Sequence, residues 1–247
     1  MFIASLYNLK GGVGKTASCV NFAYMAAMDG YKTLLWDLDP QGAASFYYNA
    51  QPKPRANMKR LLDQSVSIAS AIMATDYENL DIIPTDVSSA RLEHSLATAS
   101  SKKLMKSLLK DLENDYDFIF IDCAPGISTL ADNVFHASDA VLMPVIPTTL
   151  SVRSYEIVKD YFRDKIGADA WKLMCFFAMA DTRKGMHNEI MDELCTDPSF
   201  FEHYIPTLSD IEKMGVYNAP VEAFAPSSFA NKCYRALWKE IKEGVLA

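Results

Sequence analysis

The sequence predicts an α/β fold: a doubly wound, mostly parallel sheet with helices on both faces. Three observations carry that expectation. Apolar strand-like runs alternate with segments of helical spacing along the chain. The runs are continuous rather than alternating, which suits parallel strands covered on both faces. A loop containing Gly11, Gly12 and Gly14 joins the first run to the first helical segment.

In chain order, Phe2-Ile3-Ala4-Ser5-Leu6-Tyr7 reads as a buried strand. A helix over 16–29 then places Val20, Ala23, Ala26 and Ala27 on one face. Further strands are expected at 33–37, 80–84, 118–122, 140–144 and 173–178. Further helices are expected near 57–63, 66–74, 88–98, 102–113, 128–137, 150–165, 187–196 and 228–243. The stretch 44–57, centred on Gln51-Pro52-Lys53-Pro54, reads as a surface loop. Tyr234, Leu237, Trp238, Ile241 and Val245 form an apolar stripe on the last helix. Such a stripe packs against its own domain more often than on a membrane.

The chain has 247 residues and half are hydrophobic, enough for one large domain spanning 1–247. Its net charge of −7 argues against a strongly basic nucleic-acid binder. Cys19, Cys123, Cys175, Cys195 and Cys233 are scattered, with no C-x-x-C pair. That usage fits a reducing cytosol better than a disulfide framework or a zinc site. No apolar run approaches the length of a membrane span, and the apolar start is too short for a secretion signal.

The glycine loop carries the chemistry. Backbone N–H groups can turn toward a phosphate only where no Cβ blocks the approach. Gly11, Gly12, Val13, Gly14, Lys15, Thr16 and Ala17 are therefore the candidate nucleotide site of a P-loop. Lys15 would reach the β- and γ-phosphates, and the Thr16 hydroxyl would ligate Mg²⁺. Leu9 stands where the usual pattern has glycine, and a second cation, Lys10, follows it. The dinucleotide fingerprint fits as well, through Gly12, Gly14 and Ala17 with Asp37 as a ribose ligand. It leaves the two lysines unexplained.

Two expected strands end in acid. Phe118-Ile119-Phe120-Ile121 runs into Asp122, a Walker B arrangement aimed at the metal. Thr33-Leu34-Leu35-Trp36 runs into Asp37-Leu38-Asp39-Pro40. On an extended strand end Asp37 and Asp39 would point the same way. One would help organise the metal shell and the other would orient the attacking water.

Lys-Gly-Gly-Val-Gly-Lys-Thr, Asp-Leu-Asp-Pro-Gln-Gly and Ile-Asp-Cys-Ala-Pro together resemble the ParA family of deviant Walker ATPases, relatives of MinD. The resemblance implies ATP and Mg²⁺ as ligands and a homodimer that closes on ATP. Lys10 would be the signature lysine reaching the partner's phosphates. Lys10, Lys15 and Asp39 would be catalytic, and Thr16, Asp37 and Asp122 would serve the metal. Met179, Asp181 and Pro206 sit where family members approach adenine. A ParB-like or other partner protein would stimulate slow hydrolysis in the cytoplasm, on the nucleoid where DNA is bound.

One departure bears on DNA. The family typically reads Ile-Pro-Arg-Asn-Val-Arg where this chain has Ile205-Pro206-Thr207-Leu208-Ser209-Asp210. Arg183 keeps a third position of the non-specific DNA contact, but Thr207 and Asp210 weaken it. Two basic clusters could compensate: Lys102, Lys103, Lys106 and Lys110, and Lys53, Arg55, Lys59 and Arg60. Each is otherwise an ordinary solvated surface. Alternative functions are a family member that localises a protein machine without DNA, and a nicotinamide-dinucleotide enzyme.

Overall fold

A computed structural model describes residues 1–85, 103–166 and 172–246. Among them the strands are β1 (Phe2–Leu6), β2 (Thr33–Asp37), β3 (Met73–Ala74), β4 (Leu80–Ile83), β5 (Phe118–Asp122), β6 (Ala140–Val145), β7 (Leu173–Ala180) and β8 (Ile205–Pro206). They form one sheet in the order β3-β4-β2-β5-β1-β6-β7-β8. Every neighbouring pair is parallel except β3 with β4. The glycine loop leaves β1 near the middle of this sheet, at its carboxyl edge.

The helices are α1 (Lys15–Met28), α2 (Ala43–Tyr47), α3 (Met58–Leu62), α4 (Leu104–Lys110), α5 (Thr129–Ala137), α6 (Thr149–Tyr161) and α7 (Gly185–Leu194). Four more follow β8: α8 (Ser209–Glu212), α9 (Met214–Tyr217), α10 (Val221–Phe224) and α11 (Phe229–Leu246). All six expected strands are present. β3 and β8 were not foreseen, because two residues are too few to show a period. The expected helix 66–74 is a 3-10 turn, Ile68–Ala71, running into β3. The expected helix 88–98 lies outside the described residues. The expected loop 44–57 is in part α2, with Tyr48, Ala50 and Ala56 buried beyond it.

Alternate residues of each strand feed two cores. Ile3, Leu34, Trp36, Ile119, Ile121, Val141 and Met143 face α4, α5 and α6. Ala4, Leu6, Leu35, Phe118, Phe120 and Leu142 face α1 and α11. This two-sided burial is why the strands read as continuous apolar runs.

The α11 stripe packs inward, as its spacing predicts. Tyr234, Leu237, Trp238 and Ile241 are buried against Phe22, Phe118 and Phe120. Trp238 Nε1 donates to Asp29 Oδ2 at 3.0 Å, and Arg235 and Lys242 close on the same carboxylate. Replacing a buried tryptophan leaves a cavity that the surroundings fill only in part. Trp238→Ala is therefore expected to cost about 3–5 kcal/mol in urea unfolding. Trp238→Phe should cost less, since it keeps most of the apolar contact and loses mainly the Asp29 hydrogen bond.

Candidate nucleotide site

The loop is anchored before its glycines begin. Asn8 is buried, and its Nδ2 donates to the Pro144 carbonyl of β6 at 2.8 Å. Its Oδ1 accepts the Lys10 backbone N–H at 2.9 Å. One side chain thus ties the start of the loop to a neighbouring strand. Gly12 and Gly14 adopt φ of 71° and 89°, a left-handed backbone that glycine enters without strain. Gly14 leads into α1 with no side-chain cap. The free N–H groups and the positive helix end suit an anion.

Lys15 opens α1 and is buried, with its Nζ donating to the Lys10 carbonyl at 2.9 Å. Burial lowers its pKa, while Asp122 and Asp39 favour the charged form. The Lys10 ammonium has no hydrogen bond or ion pair to a described residue. The two lysines are therefore in different situations. One is folded under the loop, and the other is available.

Asp122 ends β5, level with Leu6 of β1 and Asp37 of β2. It is fully buried, and neither carboxylate oxygen has a hydrogen-bond partner. Burial, and then Asp37, push its pKa well up, while Thr16 and Lys15 oppose the shift. Thr16 is close enough to favour the ionised form without a well-formed hydrogen bond. A buried carboxylate in this state is costly unless a cation neutralises it.

Asp37 is spent differently. Its Oδ2 accepts from Ser45 N at 2.8 Å and Ser45 Oγ at 2.7 Å, and its Oδ1 accepts from Asp39 N at 3.1 Å. Burial still raises its pKa to about 6. Asp39 lies beyond the strand in a turn, accepting from Gln41 N at 2.9 Å. Its charge acts on Lys15, Asp37 and Asp122 alike, so both acids belong to the same site. Asp37 is not a free ribose ligand, which removes the geometric basis of the dinucleotide reading.

Among the described residues no three His, Cys, Asp or Glu side chains converge on a metal position. That fits Mg²⁺, which keeps several waters and takes one or two carboxylates plus substrate phosphates. Asp122 with the Thr16 hydroxyl suits such a partial shell. A nearby cavity of about 100 Å³ is lined by Ala17, Ala178, Met179, Ile205, Pro206 and Tyr234, among others. Met179 and Pro206 thus meet beside the loop. Asp181 turns away to Arg183, whose Nε and Nη2 donate to its two oxygens at 2.8 and 3.0 Å.

Sequence reasoning missed Asn8, Ser45 and Tyr7, whose hydroxyl donates to the Gly126 carbonyl at 3.1 Å. A polar residue between a strand and a glycine loop was the available signal for Asn8. The partners of Ser45 and Tyr7 are set by tertiary contacts.

Comparison with known proteins agrees with this geometry. A family model described as an AAA domain matches residues 1–163. The chain is 28% identical over 244 residues to the chromosome-partitioning ATPase Soj of Treponema pallidum (strain Nichols), covering 95% of this chain and 94% of that protein. A putative plasmid partition protein from Borrelia burgdorferi B31, bound to AMPPNP, has a TM-score of 0.85 at 23% identity over 98% of both chains. The cell division ATPase MinD of Pyrococcus furiosus has a TM-score of 0.81 at 23% identity over 100% of this chain and 99% of that one. The chain belongs to this AAA-domain family, as an ATPase of the ParA/MinD superfamily.

Proposed function

We propose that the chain is a partition or positioning ATPase that works as one unit, binds ATP with Mg²⁺ and closes into a homodimer around it. The orphaned carboxylate of Asp122 beneath the glycine loop carries this reading. Gly11, Gly12, Val13, Gly14, Thr16 and Ala17 cradle the phosphates with their N–H groups, and Lys15 leaves the Lys10 carbonyl to meet them. Thr16 and Asp122 hold the metal, whose chemistry is to offset phosphate charge, with Asp37 bracing the shell through Ser45. Met179 and Pro206 flank the base.

Lys10 acts on the partner's nucleotide. That its ammonium has no partner among the described residues supports a role in trans, where it meets charge developing on the transferred phosphoryl group. Asp39 orients the attacking water. A partner protein stimulates turnover, and the ATP-bound dimer holds duplex DNA by its backbone without sequence preference. The setting is the cytoplasm; no helix among the described residues is long and apolar enough to cross a membrane.

A second reading, localisation of a protein machine without DNA, has a specific observation in its favour. Arg183 is 88% exposed but clamped to Asp181, and Asp210 is paired with Lys213 at 2.8 Å. Arg183 on the edge expected to hold DNA is thus already paired within its own turn. Size-exclusion chromatography with light scattering, in ATP or ADP, with and without duplex, separates the two. A DNA-bound dimer in ATP supports the first, and a dimer that ignores DNA supports the second.

Lys10→Ala should retain most ATP binding by the monomer while ATP-dependent dimerisation falls and turnover drops about 10²-fold. Equal loss of binding in titration calorimetry contradicts the role in trans. Asp39→Ala should leave a long-lived ATP-bound dimer, read as a persistent dimer peak; unchanged phosphate release shows that another group orients the water. The pH dependence follows from Asp37. Its carboxyl takes up a proton as pH falls through about 6, and Mg²⁺ needs the deprotonated shell. The apparent Mg²⁺ affinity in nucleotide titrations should therefore weaken between pH 7 and pH 5, with proton release on binding.

A further inference from the structure

The pairing of Arg183 with Asp181 raises the question of where a polyanion would meet this acidic chain. Several described cations are paired: Lys159, Arg183, Lys213, Arg235 and Lys242 each sit on a carboxylate. On α4, Lys106 and Lys110 are exposed, but Asp111, Glu113, Asp115 and Asp117 follow within the next seven residues, all exposed. Lys172 lies close to both Lys106 and Asp139. Arg235 and Lys242 are taken by Asp29, and Arg235 also by Glu222.

The segment leading into α3 is different. Lys53, Arg55, Lys59 and Arg60 are all exposed, and none forms an ion pair with a described residue. Between Gln51 and Ser65 the only acid is Asp63. The segment is held in place. Ala56 and Leu61 are buried in the core. Asn57 caps α3 by accepting the Arg60 N–H at 3.0 Å, and Arg60 Nη1 donates to the Arg55 carbonyl at 3.0 Å. Lys53 Nζ donates to the Ile72 carbonyl at 2.6 Å. Pro52 and Pro54 restrict the backbone on either side of Lys53.

Placement adds a second observation. Ile72 precedes β3, which runs antiparallel to β4 with Met73 opposite Ile82. It therefore lies at the carboxyl end of the sheet, the same end as the glycine loop. β3 is one edge of the sheet, whereas Arg183 follows β7 near the other edge. The two regions are separable by mutation.

We propose that residues 53–60 form the contact for the phosphate backbone of duplex DNA, in place of the edge around Arg183. This rests on the DNA-binding reading above. A backbone contact fits better than a protein interface. Protein interfaces have an apolar core, and no described side chain of this segment is a large exposed apolar one. Lysines and arginines without base-reading partners hold phosphates regardless of sequence.

The test is fluorescence anisotropy with a short labelled random-sequence duplex and the ATP-bound protein. The side chains of Arg55 and Lys59 make no hydrogen bond or ion pair with described residues, so Arg55→Glu/Lys59→Glu is the informative variant. Thermal unfolding and basal ATPase activity, both expected to be unchanged, check that it folds. Binding should weaken roughly tenfold or more near 0.1 M salt, and the slope of log K against log salt should fall by about 2. Arg183→Ala should change affinity less than about twofold on the same scale. Loss of binding in Arg183→Ala with an unaffected double variant overturns the location. No binding by the wild type at low salt overturns the DNA reading itself. Wild-type binding to poly-glutamate but not to duplex overturns the choice of DNA in favour of an acidic protein.

Discussion

Lys15 and Asp122 share a site with little access to water, and their mutual attraction offsets part of what burial costs each of them. Desolvation drives the ammonium and the carboxylate alike toward neutrality. Each opposes that drive in the other, and beyond Lys15 only Thr16, among the described residues, is near enough to favour ionised Asp122. The arrangement exists because β1 and β5 pair with Leu6 level with Asp122. A one-residue slip would turn the acid to the other face of the sheet. The apolar alternation of Phe118 to Ile121 between the two cores forbids that slip.

Around this pair the site is assembled from pieces far apart in the chain. Asn8 fastens the loop to β6, and Ser45 fastens α2 to the end of β2. Ser45 Oγ also accepts the Thr85 N–H at 3.0 Å, joining the end of β4 to the same cluster. Buried polar groups that are each bonded make a stiff frame. Asp122, left without such a bond, is the place where the frame is incomplete and a cation fits.

The same logic organises the charges outside. Arg183 and Lys213 each find a carboxylate two or three residues away. The cations of 53–60 make no such pair with a described residue, and Asp63 is the one acid between Gln51 and Ser65. Net charge alone hides this difference. A chain of −7 still places Lys53, Arg55, Lys59 and Arg60 within eight residues, and local density rather than the total governs the first encounter with a polyanion.

Much of the fold was legible in the sequence. Each long strand was visible because burial on both faces leaves an uninterrupted apolar run, and α1 and α11 because their stripes have helical spacing. β3, β8 and the short helices after β8 were not, since so few residues carry no period. The glycine loop, Lys15, Thr16 and the strand-end acids were legible for a local reason: close approach of backbone to phosphate requires glycines in series between a strand and a helix. What the sequence by itself determined is therefore the sheet class and the chemistry of the loop. Only the tertiary structure decided that Asp37 is spent on Ser45, that Asp122 is left bare, and that Arg183 is taken while Arg55 and Lys59 are free of described partners. Burial and pairing depend on which distant residues meet, and spacing along the chain does not record that.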